Sequence, residues 1–212
     1  MISVSLWADG VRHEGYGVSQ GVVTYQVAGA EAARPEERRL ASSSPSFLRP
    51  LLGRAHQRRS LLAAGVNWQR VLFIEVDGEV AGYLQFYLRG EGPHRLSFAD
   101  LRAEFGASKA AWRWALYRLV QRRFRRYEAY LYRIIIDERF RSLGLGRQLL
   151  ERWLALLARH EVQQADLEVW GNNPRAEAFY ASLGFQVSRR RRLPLRASWL
   201  RDRELTHMIK RW

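Results

Sequence analysis

A β-rich run that leads through a glycine-containing loop into a long amphipathic helix constrains this chain more than any other feature. The run AYLYRIII spans residues 129–136, and the loop carries Arg141, Gly144 and Gly146. Glycine lets the backbone curl tightly, and the first turn of a helix presents free N–H groups at its positive end. This arrangement suits a phosphate or pyrophosphate, to which Arg141 and Arg147 would add charge-assisted hydrogen bonds. Because the loop has neither the P-loop pattern nor the three-glycine dinucleotide fingerprint, an ordinary strand-to-helix turn stays open as the alternative.

The rest of the chain alternates strand and helix patterns around this loop. VLFIEV and VAGYLQFYL flank Asp77-Gly78, a dipeptide typical of a tight hairpin. After the loop, RQLLERWLALLARH predicts a helix with a wide leucine-rich face, ADLEVW a strand, and RAEAFYASL a short helix ended by Gly184. FQVSRRRR and RELTHMIKRW predict the last two strands. This order predicts an α/β sheet in a single domain of residues 1–212, since no linker or internal repeat interrupts it.

Two further regions have weaker patterns. Residues 1–68 predict two strands within 2–28, a loop over 29–46 and a helix over 47–64. Residues 89–127 contain a basic amphipathic helix whose apolar face carries Trp112, Ala115, Leu116, Leu119 and Val120. We expect that face to pack on the domain and leave the arginines in water, although such a helix can also bind a membrane surface or an acidic partner.

Composition narrows the chemistry that the chain can perform. It has no cysteine, which excludes a thiolate nucleophile, disulfides and cysteine-ligated metal sites, and we expect no metal. The sequence shows no signal peptide and no apolar run long enough to span a bilayer, which favours a cytoplasmic protein. Its formal net charge of +14 attracts anions, among them nucleic acid and polyphosphate cofactors, but does not choose between them.

Two segments together resemble the GNAT superfamily of N-acetyltransferases. IDERFRSLGLG is similar to the acetyl-CoA loop of that family, and NPRAEAFYASLGF is similar to its C-terminal signature. The resemblance is strong over residues 130–187 and fair for the hairpin at 71–88. It implies the GNAT fold, a mixed and mostly antiparallel central sheet that is splayed in the middle and flanked by helices. Residues 128–188 would then form the acetyl-CoA-binding core, and residues 1–68 the acceptor side.

The resemblance also implies how acetyl-CoA would bind. The backbone of Ile134, Ile135 and Ile136 would pair with the pantetheine amides, since a splayed strand exposes unpaired N–H and C=O groups. The pyrophosphate would accept hydrogen bonds from the main-chain amides of the loop, at Ser142, Leu143, Gly144, Leu145 and Gly146. Asn173 would bond the cofactor or the loop end, and it is also well placed to cap the helix that starts at Pro174.

Without cysteine, the amine would attack the bound thioester directly. The resemblance implies that Tyr180 donates the proton to the CoA thiolate, a role that suits a phenol, and a half-buried helix aromatic is its alternative reading. The oxyanion would accept a hydrogen bond from the backbone N–H of Ile135 or Ile136.

Three carboxylates are candidates for the general base. Glu128 is the first candidate, because it shares one face of its strand with Tyr130 and Tyr132 and is the only carboxylate there. A solvated glutamate at the strand start is the alternative reading for Glu128. Glu75 and Glu168 are the second and third candidates.

The sequence leaves three functions open. The first is transfer of an acetyl group from acetyl-CoA to a primary amine of a small molecule or peptide. In the second, the high charge recruits RNA, a ribosome or an acidic protein, and the acceptor amine belongs to a macromolecule. In the third, the chain binds acyl-CoA without catalysis and serves as an interaction module. A homodimer is compatible with each of them.

Overall fold

The computed structural model describes residues 3–8, 11–16, 21–43, 49–171, 173–192 and 204–212. Its strands are β1 (Ser3–Ala8), β2 (Val11–Tyr16), β3 (Val22–Tyr25), β4 (Val71–Val76), β5 (Glu79–Leu88), β6 (Ala129–Ile136), β7 (Gln164–Trp170), β8 (Gln186–Arg192) and β9 (Glu204–Arg211). Its α-helices are α1 (Pro35–Ala41), α2 (Arg49–Leu52), α3 (Ala55–Ala64), α4 (Phe98–Phe105), α5 (Ala107–Phe124), α6 (Leu145–Arg159) and α7 (Pro174–Ala181). Across these ranges, no helix has the length and apolar character needed to cross a membrane.

Seven strands form the central sheet, in the order β3-β4-β5-β6-β7-β9-β8. Every neighbouring pair is antiparallel except β6 and β7, which are parallel and are joined through α6. Strands β1 and β2 form a separate hairpin. The predicted fold class, a mixed and mostly antiparallel sheet flanked by helices, is confirmed.

The two parallel strands pair only over a short stretch. Ala129, Tyr130 and Leu131 of β6 lie opposite residues 165–167 of β7, and the pairing stops there. On its other side β6 stays paired with β5 as far as Ile136, with one extra residue in β6, Tyr132, inserted at a bulge. Bulges bend and twist a strand, so β6 turns away from β7 at the point where the pairing ends. The sheet is therefore splayed between β6 and β7.

The β4–β5 hairpin places β5 beside β6, on the side away from the splay. Asp77 and Gly78 have φ values of 50° and 84°, which is the geometry of the predicted two-residue turn. At Gly82 of β5, an added Cβ would lie 2.5 Å from the carbonyl oxygen of Ile135, so only glycine lets β6 approach this closely.

The main core lies between α6 and the sheet. Leu149, Leu150, Trp153 and Leu157 of α6 are fully buried, which confirms the predicted leucine-rich face. On the opposite face of the sheet, α1 covers a second cluster around Phe73 and Tyr83, and helices α2 to α5 enclose a third. Helices therefore flank both faces of the sheet.

The N-terminal region differs from its prediction in two ways. Three strands occur where two were expected, because Val11–Tyr16 forms a strand that the sequence pattern did not reveal. The helix expected over 47–64 is broken into α2 and α3 by Gly53, which has a φ of 76°, and residues 47 and 48 lie outside the described part.

The expectation for α5 was wrong. The helix turns Ala110, Trp114, Tyr117 and Phe124 towards the protein, where Phe124 stacks on Tyr87 at 4.2 Å between ring centroids. Of the face expected to pack, Trp112, Leu116 and Leu119 are 48%, 36% and 62% exposed, and only Val120 is partly buried. Trp114, Tyr117 and Phe124, which follow one another at spacings of three and seven residues, pack their rings against the rest of the protein, and this aromatic burial decides which side of the helix is buried.

The burial of the two tryptophans predicts unequal effects on stability. Trp153→Ala should lower the free energy of unfolding by about 3–5 kcal/mol, because Trp153 is fully buried and packs on Phe86 at 6.2 Å between ring centroids. Trp112→Ala should change it by no more than about 0.5 kcal/mol. Urea denaturation of both variants measures the difference, and equal losses would contradict this packing.

Candidate active site

The glycine loop is held in a conformation that suits a bound anion. Gly144 caps the N-terminus of α6 in the left-handed region, at φ 74° and ψ 0°, and Ser142 has a φ of 67°. No heavy atom lies within 4 Å of the Cβ position of Gly144, so open space adjoins the loop there. Leu145 is buried in the main core and anchors the start of the helix, whereas Leu143 is 59% exposed.

The main-chain amides of this loop are also available to bind an anion. No described carbonyl accepts a hydrogen bond from the amides of residues 142–146, whereas the amides of Arg147 and Gln148 donate to the carbonyl oxygen of Gly144 at 3.0 and 3.1 Å. Free amides at the start of a 15-residue helix form a site for a phosphate group. Gly146 lies in the first turn, where an added Cβ would be 3.7 Å from the Ile136 side chain and 3.8 Å from that of Phe179.

Arg141 and Arg147 flank the loop in sequence, and Asn173 lies at the start of α7. Arg141 is exposed and pairs with Glu138 at 3.0 Å. Arg147 donates to the Ser182 hydroxyl at 2.6 Å, so it ties α6 to the end of α7. Asn173 caps α7 by accepting from the Ala176 amide at 3.0 Å, as its position before Pro174 predicts. Both arginines keep a large exposed fraction from which they can contact an anion.

The splayed end of β6 leads directly into this loop. On the β7 side, no described strand pairs with residues 132–136, which include Ile134, Ile135 and Ile136. Ile134 and Ile136 pack against the main core, and Ile135 packs on the opposite side of the sheet. Every second N–H and C=O of this segment therefore faces the gap between the strands, where an extended amide-containing chain can pair with it.

Tyr180 packs on the main core cluster, as do Ile134 and Ile136 of β6. Its ring contacts Phe179 and Phe185, with centroid distances of 5.2 and 6.1 Å, and it packs against the cluster that contains Ile134 and Ile136. Burial raises the pKa of its phenol to about 12. Tyr180 therefore carries its proton at neutral pH and can donate it.

The structure separates Glu128 from these residues. Its carboxylate accepts hydrogen bonds from the backbone amides of Gln163 and Gln164, at 2.8 and 3.2 Å. The eight residues of β6 stand between Glu128 and the loop, which is about 26 Å at ~3.3 Å per residue. Glu128 thus fastens the start of β7 instead of facing the splay.

Glu75, the second candidate, is engaged elsewhere. Its carboxylate pairs with Arg34 at 2.8 Å, in a network that includes Tyr25 and Glu37 beneath α1. Burial and the Glu37 carboxylate raise the pKa of Tyr25, so this phenol also stays protonated. The network supports the β3–β4 edge of the sheet, away from the splay.

Glu168, the third candidate, is the carboxylate that lies at the splay. It immediately follows Leu167, the last residue of β7 that pairs with β6, and its side chain is only 3% exposed. It accepts from the Tyr130 hydroxyl at 3.0 Å, from Arg191 at 2.9 Å and from Arg123. A carboxylate offers about four lone-pair positions, so three donors leave room for one more.

Sequence reasoning missed the partners of Glu168, although it left a signal for Glu168 itself. Within ADLEVW, a glutamate between Leu167 and Val169 is an ionisable group on a buried strand, and such a group needs partners. Arg123 and Arg191 are two arginines among many, and they come from segments that only the fold brings together. Within the described ranges, no three His, Asp or Glu side chains cluster so that they could hold a metal ion.

Comparison with known proteins identifies relatives of this arrangement. A sequence model described as the acetyltransferase (GNAT) family matches residues 40–185. The chain is similar to the [ribosomal protein bS18]-alanine N-acetyltransferase of Escherichia coli strain K12, with 42% identity over 65 residues, which are 31% of this chain and 44% of that protein. The match thus spans less than half the length of this curated relative.

Solved structures share the fold over nearly the whole chain. The crystal structure of the ribosomal-protein-S18-alanine N-acetyltransferase from Escherichia coli has a TM-score of 0.52 at 19% identity, and the match covers 90% of this chain and 93% of that one. A GNAT family acetyltransferase from Elizabethkingia anophelis with acetyl-CoA bound has a TM-score of 0.52 at 11% identity, over 92% and 100% of the two chains. At these identities the likeness shows the fold alone.

The loop geometry predicts that charge at Gly144 governs anion binding. Gly144→Asp should weaken the affinity for coenzyme A by about tenfold or more, because a carboxylate would stand beside the free amides and repel a pyrophosphate. Gly106→Asp is the matched control, since Gly106 also precedes a helix, has a φ of 78° and has open space at its Cβ position. Calorimetric titration measures both, and equal affinities in the two variants would contradict the site.

Proposed function

We propose, from the premise that this chain belongs to the acetyltransferase (GNAT) family, that it transfers an acetyl group from acetyl-CoA to a primary amine. The observation that carries the proposal is the row of free amides at residues 142–146, which continues from the unpaired edge of β6. A thioester carrier with a diphosphate and two pantetheine amides matches that succession of binding groups. The test is to incubate the protein with acetyl-CoA and a panel of amines and to measure both free CoA and the acetylated product.

The residues at the site fit this cofactor. The diphosphate would accept hydrogen bonds from Ser142, Leu143, Gly144, Leu145 and Gly146, with Arg141 and Arg147 adding positive charge at the exposed rim. The pantetheine would pair with the backbone of Ile134, Ile135 and Ile136. Asn173 would bond the cofactor or the loop end, in addition to capping α7.

In the proposed reaction, the amine nitrogen attacks the thioester carbon and the bond from that carbon to sulfur breaks. A backbone N–H at Ile135 or Ile136 would stabilise the oxyanion that forms on the carbonyl oxygen. Tyr180 would donate its proton to the departing thiolate, which suits a partly buried phenol that is neutral at working pH. The two products are an amide and coenzyme A.

We assign the base to Glu168, in place of Glu128. Glu168 lies at the base of the splay, is buried, and has room for one further donor beside Tyr130, Arg123 and Arg191. An ammonium group that binds there would lose its proton to this carboxylate directly or through water. Tyr130 would orient the carboxylate by its hydrogen bond.

The acceptor is proposed to be the amine of a polypeptide. The curated relative is named for acetylation of an alanine of a ribosomal protein, which supports a protein terminus as the acceptor class here. The cytoplasmic location, the homodimer and the nucleic-acid partner stay predictions. A non-catalytic acyl-CoA-binding module would bind acetyl-CoA without releasing CoA in the presence of any amine in the panel.

Two glutamates give a matched test of the base. Glu168→Gln should lower kcat/KM by about 10²-fold, because it removes the proposed proton acceptor while it keeps the shape of the side chain. Glu128→Gln should leave kcat/KM nearly unchanged and affect stability instead, since Glu128 binds two backbone amides outside the splay. Initial rates and urea denaturation of both variants separate these effects. If Glu128→Gln is the slower enzyme, the assignment of the base is reversed.

Tyr180→Phe should lower kcat by about 10²-fold and change the affinity for acetyl-CoA by much less. In the unaltered protein, the Tyr180 proton is retained up to a pKa of about 12. Loss of the Tyr180 proton should therefore not slow the reaction between pH 7 and about pH 10. Over that range the rate profiles of the unaltered protein and of Tyr180→Phe should have the same shape. Rate profiles of both proteins, with calorimetry for the affinity, are the measurement. An undiminished kcat in Tyr180→Phe would exclude Tyr180 as the acid.

A further inference from the structure

The outward face of α5 carries an apolar stripe that stays partly exposed in the described protein, with only the Arg113 guanidinium over its Trp112 ring. We define the α5 stripe as Trp112, Leu116 and Leu119, which are 48%, 36% and 62% exposed. Their spacings of four and three residues place them on one side of the helix. The opposite side of α5 packs on the sheet and on the α2–α4 cluster, so the stripe takes no part in the core of the protein.

Basic side chains border the α5 stripe. We define the basic rim as the exposed residues Lys109, Arg118, Arg122 and Arg126. No described carboxylate forms an ion pair with any of them, and α5 itself contains no acidic residue. A surface that is apolar along its centre and positive along its sides is complementary to a partner with both apolar and acidic side chains.

Charge argues against two other occupants. A second copy of this chain would bring together two rims of the same sign on molecules of net charge +14, which opposes association. Nucleic acid would neutralise the rim, but its phosphates offer no counterpart for Leu116 and Leu119. An acidic polypeptide with apolar side chains satisfies both parts of the surface.

The α5 stripe points towards the proposed reaction site. Arg123 follows Leu119 by four residues, about 6 Å along the helix axis, and lies on the same side. Arg123 pairs with Glu168, the proposed base. From Trp112 to Arg123 the helix rises about 16 Å, the length of roughly five residues of extended chain at ~3.3 Å each. A polypeptide whose terminal amine reaches Glu168 can therefore lay its next residues along the stripe.

We propose that the α5 stripe and its basic rim bind the acceptor polypeptide, and that this surface selects acceptors with acidic and apolar residues close behind the reactive N-terminus. The inference rests on the proposed function and deepens it, because it names the class of acceptor. Arg123 connects the surface to the site, because it belongs to α5 and pairs with Glu168, the carboxylate proposed to accept the proton of the amine.

The experiment uses three acceptors with the full chain. They are alanine amide, a 12-residue peptide that begins with alanine and alternates Leu with Glu, and its counterpart with Lys in place of Glu. We expect kcat/KM for the acidic peptide to exceed that for the basic peptide by about tenfold or more. Binding of each labelled peptide, measured by fluorescence anisotropy without acetyl-CoA, should show the same order.

Two variants test the surface directly. Trp112→Ser combined with Leu116→Ser and Leu119→Ser should raise KM for the acidic peptide about tenfold, and leave the rate with alanine amide and the affinity for acetyl-CoA unchanged. Arg118→Glu combined with Arg122→Glu should reverse the preference towards the basic peptide. Trp212→Ser is the control, because Trp212 is 49% exposed and lies outside α5. All these positions are exposed, and circular dichroism verifies that the variants fold.

Several outcomes would overturn the proposal. One is equal anisotropy and equal kcat/KM for the two peptides. Another is an unchanged KM in the triple serine variant. A third is loss of binding to an RNA oligonucleotide or to anionic vesicles in that variant while its peptide kinetics stay intact, which would assign the stripe to a different partner. Failure of acetyl-CoA to bind would instead refute the proposed function, and the anisotropy measurement would still decide whether the surface binds acidic peptides.

Discussion

The arrangement of the site depends on the loss of pairing between two parallel strands. Beyond Leu131 and Leu167, β6 and β7 separate, and the extra residue of β6, Tyr132, bends the strand at that point. The separation exposes an unpaired backbone edge on β6 and, at its base, the Glu168 side chain on β7. Because β6 runs directly into the glycine loop and α6, the free amides at the start of α6 lie beyond the unpaired end of β6.

A buried carboxylate explains how distant segments of the chain are held around this opening. Glu168 is 3% exposed, and a buried charge is strongly destabilising unless it is paired. Its partners come from α5, from β6 and from β8, in Arg123, Tyr130 and Arg191. The requirement for pairing thus fixes the end of the 89–127 region and the end of β8 relative to the splay. These ion pairs add to the aromatic packing of Phe124 on Tyr87 in positioning α5 beside the splay.

The sequence predicts the parts of this protein that depend on local signals. The β4–β5 hairpin follows from Asp77-Gly78, the leucine-rich face of α6 from its periodicity, and the strand-to-helix turn from Gly144 and its context. Prediction from the sequence fails where contacts between distant segments determine which side chains are buried. The buried side of α5 depends on Tyr87 and Tyr130, which no periodicity within the helix can indicate. Glu128 and Glu168 were both candidates for the base, and only the fold shows that Glu168 adjoins the splay whereas Glu128 lies before the paired stretch of β6 and β7.

The high positive charge has different consequences for the two substrates. It lowers the electrostatic potential energy of any anion near the surface, so it speeds the encounter with a polyphosphate cofactor and with an acidic polypeptide alike, and salt screens both effects. Selection between acceptors requires geometry in addition to charge. On α5 that geometry is the fixed distance between the exposed stripe and Arg123, because a helix packed against the sheet through Phe124 cannot adjust its length. Because this distance to Glu168 is fixed, α5 would favour acceptors whose acidic and apolar side chains lie at a matching distance from the reacting amine.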